Sequence, residues 1–187
     1  PILGSIIQIF YQTLFFQFSG AALGVLVIFI FLETTSGTKD YLTNLYSRRM
    51  LDDYLDSLIE RRTAFTMIMI DLDEFKEIND KHGHLAGDQV LIEFSRILKI
   101  AKIAKKKSLI ARLGGDEFLC ILLEEDHKDV NQYLKSVEKH VKRSKILKAN
   151  DFKDFSSGIL PYDYKMQTDI LLKKVDALMY ENKNLKR

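Results

Sequence analysis

Two pairs of acidic residues stand where the sequence predicts the ends of strands. Asp71 and Asp73 close a short apolar run at 64–70, and Asp116 and Glu117 follow two glycines between apolar runs. If these runs are neighbouring strands, four carboxylates meet in a small area and raise one another's pKa values. Mg²⁺ relieves such repulsion, because it is commonly held by one or two carboxylates together with substrate phosphates. The set predicts metal-assisted phosphoryl chemistry, whereas any one of these acids alone is typical of a solvated surface residue.

Other cationic and polar residues are of the types that bind the phosphates and the base of a nucleotide. Lys76 follows the first pair within one helical turn, and Lys183, Lys186 and Arg187 lie at the C-terminal end of the chain. Cations that face a metal-bound anion indicate phosphate binding, although a basic helix end also interacts favourably with the helix dipole. Asn79 and Asp88 offer hydrogen-bonding edges for a base, and each is also typical of a helix cap or a surface position.

The composition excludes several other classes of protein. Lys and Arg total 28 against 26 for Asp and Glu, which excludes a histone-like basic protein and an acidic disordered tail. The basic run at 102–107 lacks interleaved aromatic residues, so no nucleic-acid partner is predicted. His82 and His84 have no cysteine nearby and make a poor zinc site.

The spacing of apolar residues predicts the elements that position these groups. The predicted helices are 41–59, 75–81, 85–102, 129–147 and 168–185, and the predicted strands are 64–70, 108–113, 118–123 and 152–160. Gly114 and Gly115 between two strands predict a type I′ hairpin, since both central residues of that turn need positive φ. Strands that alternate with helices predict an α/β fold with a central sheet flanked by helices, which we expect on one face.

The first 32 residues carry no charge. Residues 13–32, at a rise of about 1.5 Å each, match a hydrocarbon core of about 30 Å, so we predict a transmembrane helix of about 13–32. The whole of 1–32 is then a truncated membrane region in which residues 2–11 are the tail of a preceding segment. The alternative is a buried helix of a soluble protein, although an uncharged run of this length needs apolar cover on every side.

A polar break, ETTSGT at 33–38, is predicted to be a linker, which leaves residues 39–187 as a soluble domain. Lys39, Arg48 and Arg49 follow the apolar segment closely and favour a cytoplasmic side for that domain. We therefore expect a protein of the cell membrane that contacts membrane lipid through its N-terminal helix and carries its soluble domain in the cytoplasm.

Several motifs in this domain resemble the GGDEF domain family, the diguanylate cyclases. Residues 40–49 (DYLTNLYSRR) resemble the family's opening D-x-L-T-G-L-x-N-R-R. Residues 71–88 (DLDEFKEINDKHGHLAGD) resemble D-x-D-x-F-K-x-I-N-D-x-x-G-H-x-x-G-D, and 112–118 (RLGGDEF) contain the signature that names the family. The later blocks S-x-G-I and D-x-A-L-Y-x-A-K-x-x-G-R resemble residues 156–159 and 176–187. The resemblance covers residues 39–187, in order and at the family's spacing.

This resemblance implies that the chain makes cyclic di-GMP from two GTP molecules and releases two pyrophosphates. The implied fold is the palm-like α/β domain shared with class III nucleotide cyclases. Mg²⁺ (or Mn²⁺) would be held by Asp71, the carbonyl of Leu72 and Asp116. Asp116 with Glu117 would help to activate the ribose 3′-hydroxyl, and Arg112 would lie near the developing charge.

The same resemblance assigns the substrate contacts. Phosphates would meet the backbone of Phe75 and the side chains of Lys76, Lys183 and Arg187, beside Gly114 and Gly115, which allow close approach. Asn79 and Asp88 would read the guanine edge, and the carboxylate of Asp88 disfavours ATP as a substrate. Each domain binds one GTP, so the implied active unit is a homodimer.

The sequence departs from the family pattern in three places. In the last block, Asn182 and Lys186 replace small residues, so the phosphate end carries extra charge. The inhibitory R-x-x-D motif falls on residues 105–108 (KKKS), so tight product binding at Lys105 and Ser108 is not expected. Asn44 and Ser47 replace glycine and asparagine in the opening motif, which concerns the geometry of a helix start rather than chemistry. The alternative function is a catalytically silent GGDEF module that acts as a nucleotide-binding, dimerisation or receptor domain, and the undamaged signature favours the active enzyme.

Overall fold

The structure is a computed structural model that describes residues 2–35, 37–101, 108–123 and 127–186. It divides into two compact units, Pro1–Gly37 and Thr38–Arg187.

The first unit contains helix α1 (Ile2–Thr35). Its segment Phe10–Ile30 has a mean hydropathy of 2.1 and is unburied, which makes it long and apolar enough to cross a membrane. A signal sequence passes the same test. The expectation that residues 2–11 are the tail of a preceding segment is wrong, because α1 runs through them without a break and they contain no proline, the residue that breaks helices.

The second unit is a four-stranded sheet with helices packed on it. Its elements are α2 (Arg48–Glu60), β1 (Thr66–Leu72), α3 (Phe75–His82), α4 (His84–Ala101), β2 (Ser108–Gly114), β3 (Glu117–Leu122), α5 (His127–Arg143), α6 (Lys145–Ala149), β4 (Phe155–Pro161) and α7 (Thr168–Leu185). The strand order is β2-β3-β1-β4, and all neighbouring strands are antiparallel. β1 and β2 are therefore parallel with β3 between them, which is the arrangement of a β-α-β-β-α-β fold.

Helices cover both faces of this sheet, so the expectation of helices on one face is wrong. On one face, Ile68 and Ile70 of β1 belong to a core with Phe94 of α4. On the other, alternate residues of the same strand belong to a second core with Leu55 of α2 and Val175 of α7. The reason is that all seven residues of β1 are buried, and a strand that is apolar on both sides needs cover on both.

The predicted helix over 41–59 begins only at Arg48. Asp40 holds the preceding residues in a turn, because its Oδ1 accepts hydrogen bonds from the Thr43 amide at 2.8 Å and the Thr43 hydroxyl at 2.6 Å. Asn44 has a φ of 52°, a conformation in which asparagine substitutes well for glycine. Ser47 then caps α2 by accepting from the Met50 amide at 3.4 Å. Both departures from the opening motif thus concern backbone geometry.

The predicted helix over 129–147 is divided at Ser144 into α5 and α6. The Ser144 hydroxyl accepts from the Leu147 amide at 3.3 Å, which starts α6, and donates to the buried carboxylate of Glu93 at 2.7 Å. The helices predicted at 75–81, 85–102 and 168–185 are confirmed as α3, α4 and α7, and the strand predicted at 152–160 is confirmed in part as β4.

Candidate active site

The pairing of β1 with β3 brings the two acidic pairs to one edge of the sheet. Asp71, near the end of β1, lies opposite Glu117, the first residue of β3. The Leu72 amide donates to the Asp116 carbonyl at 3.3 Å, which joins the end of β1 to the hairpin turn. The carboxylate of Asp73 follows directly after β1 and accepts from the Ser156 hydroxyl of β4 at 2.7 Å.

The hairpin that carries Asp116 is not the predicted type I′ turn. Gly114 pairs with Glu117, so the two central residues are Gly115 and Asp116. Gly114 and Gly115 have φ values of 154° and 52°, but Asp116 is not among the described residues with positive φ. An irregularity in the pairing between Arg112 and Gly114 shifts the register by one residue and draws Gly114 into the last pair of the ladder. The turn therefore presents Asp116, rather than a second glycine, at its tip.

Excess negative charge characterises this edge. Burial raises the pKa of Asp71, and the charges of Asp116 and Asp73 raise it further, whereas a hydrogen bond and the charge of Lys183 lower it. Burial also raises the pKa of Glu117, and three neighbouring carboxylates, with Asp176 the largest contributor, add to that increase. Carboxylates that repel one another in this way favour the arrival of a cation.

Helix α7 brings a cation to Asp71. Lys183 Nζ forms an ion pair with Asp71 Oδ1, and both side chains are largely buried. The helix approaches β4 closely at Gly158, where a Cβ atom would lie 2.4 Å from the Met179 nitrogen. Asn182 Nδ2 also donates to the Ser157 carbonyl at 2.8 Å. These two contacts with β4 fix the position of the part of α7 that carries Lys183.

The oxygen atoms at this edge are compatible with the metal ligands that the family resemblance implies. The charge of Asp116 contributes to the raised pKa of Asp71, and the Leu72 amide donates to the Asp116 backbone carbonyl. Among the described residues, no three His, Cys, Asp or Glu side chains form a metal cluster by themselves. Two carboxylates and a carbonyl leave positions for other oxygens, as Mg²⁺ usually requires.

Arg112 lies against the hairpin turn. Its Nε and Nη2 donate to the Gly115 carbonyl at 3.0 and 2.8 Å, and its Nη1 lies 3.1 Å from Asp40 Oδ1. The pair is largely buried, with 11% of the Arg112 side chain and 16% of the Asp40 side chain exposed. The guanidinium therefore holds the turn that presents Asp116.

A second group of predicted residues lies between α3 and α4. Asn79 of α3 and Asp88 of α4 are both half-buried. Gly87 is packed against Asn79 so closely that a Cβ atom would lie 2.1 Å from Asn79 Oδ1 and 3.1 Å from Phe75 Cζ. Sequence reasoning missed Gly87 as a site residue, although it is a fixed glycine of the G-H-x-x-G-D motif.

The remaining predicted residues are less constrained. Lys76 is exposed in the first turn of α3. The residue before this helix, Glu74, has a φ of 59°. Gly114 and Gly115 are exposed, and nothing lies within 4 Å of where their Cβ atoms would be. Ser108 is the first residue of β2, whereas Lys105 and Arg187 lie outside the described residues, so the interpretation of the inhibitory motif and the role of Arg187 stay predictions.

Two further residues hold the elements of the site together, and of these the sequence singled out only Lys186, as one of the cations at the end of α7. Ser156 is buried and donates to Asp73. Lys186 Nζ donates to Asp154 Oδ2 at 2.8 Å and to the Phe155 carbonyl at 2.7 Å, so it ties the end of α7 to the start of β4. The S-x-G-I block at 156–159 was the available signal for Ser156, whereas the contact of Lys186 depends on tertiary structure.

Comparison with known proteins places this arrangement in one family. The family model described as the diguanylate cyclase GGDEF domain matches residues 38–187. The chain is 28% identical over 153 residues to the diguanylate cyclase VdcA of Vibrio cholerae, covering 79% of this chain and 44% of that protein. It is 33% identical over 153 residues to the response regulator PleD of Caulobacter vibrioides, covering 77% of this chain and 33% of that protein. The chain thus spans less than half the length of either relative.

The fold is also similar to solved structures. The coiled coil and GGDEF domain of DgcB from Caulobacter crescentus, in complex with c-di-GMP, superposes with a TM-score of 0.71. The sequences are 26% identical, and the overlap covers 90% of this chain and 92% of that one.

Proposed function

Because the chain belongs to the GGDEF family of diguanylate cyclase domains, we propose that it condenses two GTP molecules into cyclic di-GMP and releases two pyrophosphates. The relatives are longer than this chain, so their activities support this proposal through the shared domain alone. The second messenger made in this way would serve signal transduction.

One observation carries the proposal: the signature turn lies beside the carboxyl end of β1. Asp71 of β1 is paired with Glu117 of β3, and the Leu72 amide donates a hydrogen bond to the Asp116 carbonyl. Phosphoryl transfer needs positioning and charge neutralisation more than covalent chemistry by the protein. An acidic edge with a largely buried lysine paired to Asp71 is suited to that task.

The GTP substrate would be bound at two ends. Asn79 and Asp88 would hydrogen-bond the guanine edge, and the carboxylate of Asp88 suits the amino and imino donors of guanine better than the edge of adenine. At the other end, the backbone of Phe75 and the cations Lys76, Lys183 and Arg187 would hold the triphosphate. Gly114 and Gly115, with no side chain and open space around them, would let the substrate approach the turn.

In the chemical step, the 3′-hydroxyl oxygen of one GTP attacks the α-phosphorus of the other. The bond from that phosphorus to the bridging oxygen breaks, and pyrophosphate leaves with its electron pair. Glu117, beside Asp116, would take the hydroxyl proton, and its raised pKa makes it a better general base. Two such transfers close the cyclic product.

A divalent ion, Mg²⁺ or Mn²⁺, would neutralise the phosphate charge that develops in this step. Asp71, the Leu72 carbonyl and Asp116 would hold it. Arg112 contributes indirectly, because it fixes the turn that presents Asp116 to that ion.

Each domain would bind one GTP, so the two reacting nucleotides require two domains facing each other in a homodimer. We propose that residues 1–32 belong to a membrane region with a transmembrane helix at about 13–32, that 33–38 form a linker and that 39–187 form the catalytic domain in the cytoplasm. The apolar segment Phe10–Ile30 supports the membrane anchor. Such an anchor would set the geometry of the dimer.

The experiment is a turnover assay on the full chain in detergent micelles, supplied with GTP and Mg²⁺ while released pyrophosphate is measured. Asp116→Asn is expected to lower turnover at least about 100-fold, as expected for loss of a group that neutralises transition-state charge. Asp53→Asn, which removes an exposed carboxylate of α2, is the matched control and should leave turnover unchanged.

The result decides between the proposed enzyme and a silent module. Turnover retained in Asp116→Asn would remove the proposed role of Asp116. No turnover from a folded, dimeric wild-type sample that still binds GTP would favour the catalytically silent, nucleotide-binding alternative.

A further inference from the structure

The lysine that contacts Asp71 is also a residue expected to bind phosphate. Lys183 Nζ donates to Asp71 Oδ1, and the two side chains are 19% and 12% exposed. Asp71 is in turn one of the two carboxylates proposed to hold the divalent ion. An ammonium group on Oδ1 uses the lone pairs that a metal ion would take. The two cations therefore compete for the same oxygen.

The backbone at this point has little freedom to move Lys183 away. A Cβ atom on Gly158 would lie 2.4 Å from the Met179 nitrogen and 2.5 Å from the Val175 carbonyl oxygen, so α7 already lies directly on β4. Asn182, next to Lys183, is bonded to the Ser157 carbonyl. Lys183 can therefore leave Asp71 only by rotation of its own side chain.

The surrounding negative charges favour a cation at Asp71, whether that cation is Lys183 or a divalent metal ion. Asp116 and Asp73 interact unfavourably with Asp71, and Glu117 lies opposite it. A buried carboxylate that loses a close counter-ion among like charges is strongly destabilised. Departure of Lys183 is thus favourable only when another cation reaches Asp71 and an anion receives the lysine. A nucleoside triphosphate with its divalent ion supplies both.

We propose that Lys183 is the resident counter-ion of Asp71 and makes divalent-ion binding conditional on a nucleoside triphosphate. The inference rests on the proposed metal role of Asp71 and extends it. Lys183 weakens binding of the divalent ion alone, and it moves to the phosphate oxygens when the triphosphate arrives. By thermodynamic reciprocity, the divalent ion strengthens triphosphate binding by the same factor.

The test is a titration of the full chain, in detergent micelles and without nucleotide, with Mn²⁺ measured by electron paramagnetic resonance. Lys183→Met is expected to bind Mn²⁺ at least about fivefold more tightly than the wild type, the lower end of typical coupling between sites. Lys183→Arg keeps the cation and should retain the weak binding. Asp71→Asn, added to Lys183→Met, should abolish the gain.

Lys173→Met is the matched control, because it removes the same charge from an exposed lysine of the same helix, ten residues and therefore about 15 Å of helix away from Lys183. It should change Mn²⁺ affinity less than about twofold, well below the coupling expected at Asp71. With a non-hydrolysable GTP analogue present, the wild type should gain Mn²⁺ affinity and Lys183→Met should gain less. Circular dichroism and thermal melting establish that each variant is folded.

Equal Mn²⁺ affinity of the wild type and Lys183→Met without nucleotide would overturn the inference, as would a gain that survives Asp71→Asn. Absence of Mn²⁺ binding in both proteins would overturn it too, because loss of the lysine should expose the site. None of these outcomes depends on product formation, so failure of the inference is distinguishable from failure of the proposed activity.

Discussion

The guanidinium of Arg112 joins Asp40, at the start of the domain, to the carbonyl of Gly115 in the signature turn. Nη1 lies 3.1 Å from Asp40 Oδ1, and Nη2 lies 2.8 Å from the Gly115 oxygen. The Arg112 amide also donates to the Tyr46 carbonyl at 2.9 Å. Arg112 therefore links the segment that precedes α2, through hydrogen bonds, to the hairpin that presents Asp116.

Breaking this link should destabilise the domain. Arg112→Met or Asp40→Asn leaves the other partner largely buried without its counter-ion, and each should lower the free energy of unfolding by about 2 kcal/mol. Because the two changes remove the same interaction, the double variant should be less destabilised than the sum, with a coupling of at least about 1 kcal/mol. Urea denaturation of the four proteins measures it.

The exposed pair of Arg48 with Asp52 is the control for that cycle. These side chains are 50% and 40% exposed, four residues apart on α2, and surface pairs of this kind couple by about 0.5 kcal/mol or less. Equal coupling energies in the two cycles would contradict the importance given to Arg112 and Asp40.

Acid should weaken the same link. Burial raises the pKa of Asp40, but hydrogen bonds from Thr43 and Arg112 outweigh it and hold the pKa below the ordinary value of 3.8. A lowered folded-state pKa gives stability that is complete above the unfolded value and is lost as pH falls through the folded one. The difference in unfolding free energy between wild type and Asp40→Asn should thus be constant above about pH 5 and shrink below about pH 4. Urea denaturation between these limits checks this, and a difference that shrinks near neutral pH would speak against it.

Gly87→Ala should impair nucleotide binding without unfolding the domain. The added Cβ meets the end of the Asn79 side chain at 2.1 Å, and a flexible side chain gives way more easily than backbone does. Alanine also favours the helix by up to about 1 kcal/mol. We expect nearly unchanged stability and a roughly tenfold loss in GTP affinity, equivalent to about 1.4 kcal/mol for one displaced hydrogen bond. Isothermal titration calorimetry measures the affinity, with the exposed Gln89→Ala on the same helix as control.

Gly158→Ala should have the opposite profile. Here the added Cβ meets the backbone of α7 at Met179 and Val175, which cannot move without shifting the whole helix. We expect a loss of about 1–3 kcal/mol in the free energy of unfolding, as for other overpacked cores. Ser157→Ala, which keeps its backbone carbonyl, is the neighbouring control in thermal or urea denaturation. A stability of Gly158→Ala equal to that of the control would refute the close packing of α7 on β4.

Local sequence patterns predicted most of the elements. The apolar runs and helical periodicities located every strand and helix of the sheet domain to within a few residues, apart from the segment before Arg48 and the break at Ser144. Both exceptions depend on side-chain hydrogen bonds, in which Thr43 donates to Asp40 and Ser144 donates to Glu93. Because Glu93 is distant in sequence from Ser144, periodicity carries no signal for that contact. Helix cover on the second face could have been predicted, because the continuous apolar run at 64–70 is typical of a strand that is buried on both faces.

The acidic pairs of the site were predictable because strand ends and a two-glycine turn are local features. Asn79 and Lys183 could be named as candidates from their residue types, but their positions in space could not be predicted. Their actual placement depends on Gly87 and Gly158, where α4 and α7 approach their neighbours too closely for a side chain. Arg112 and Asp40 are 72 residues apart in the sequence, so their contact could not be inferred from local spacing.

Mass spectrometry of the products formed by the full chain with Mg²⁺ tests the central claim most directly. The reaction should be run with GTP alone, ATP alone and an equal mixture of the two. The account predicts cyclic di-GMP from GTP, no cyclic dinucleotide from ATP and little mixed product, because Asp88 favours guanine. Absence of cyclic di-GMP from a folded and dimeric sample, or an adenine-containing product as the major species, would contradict it.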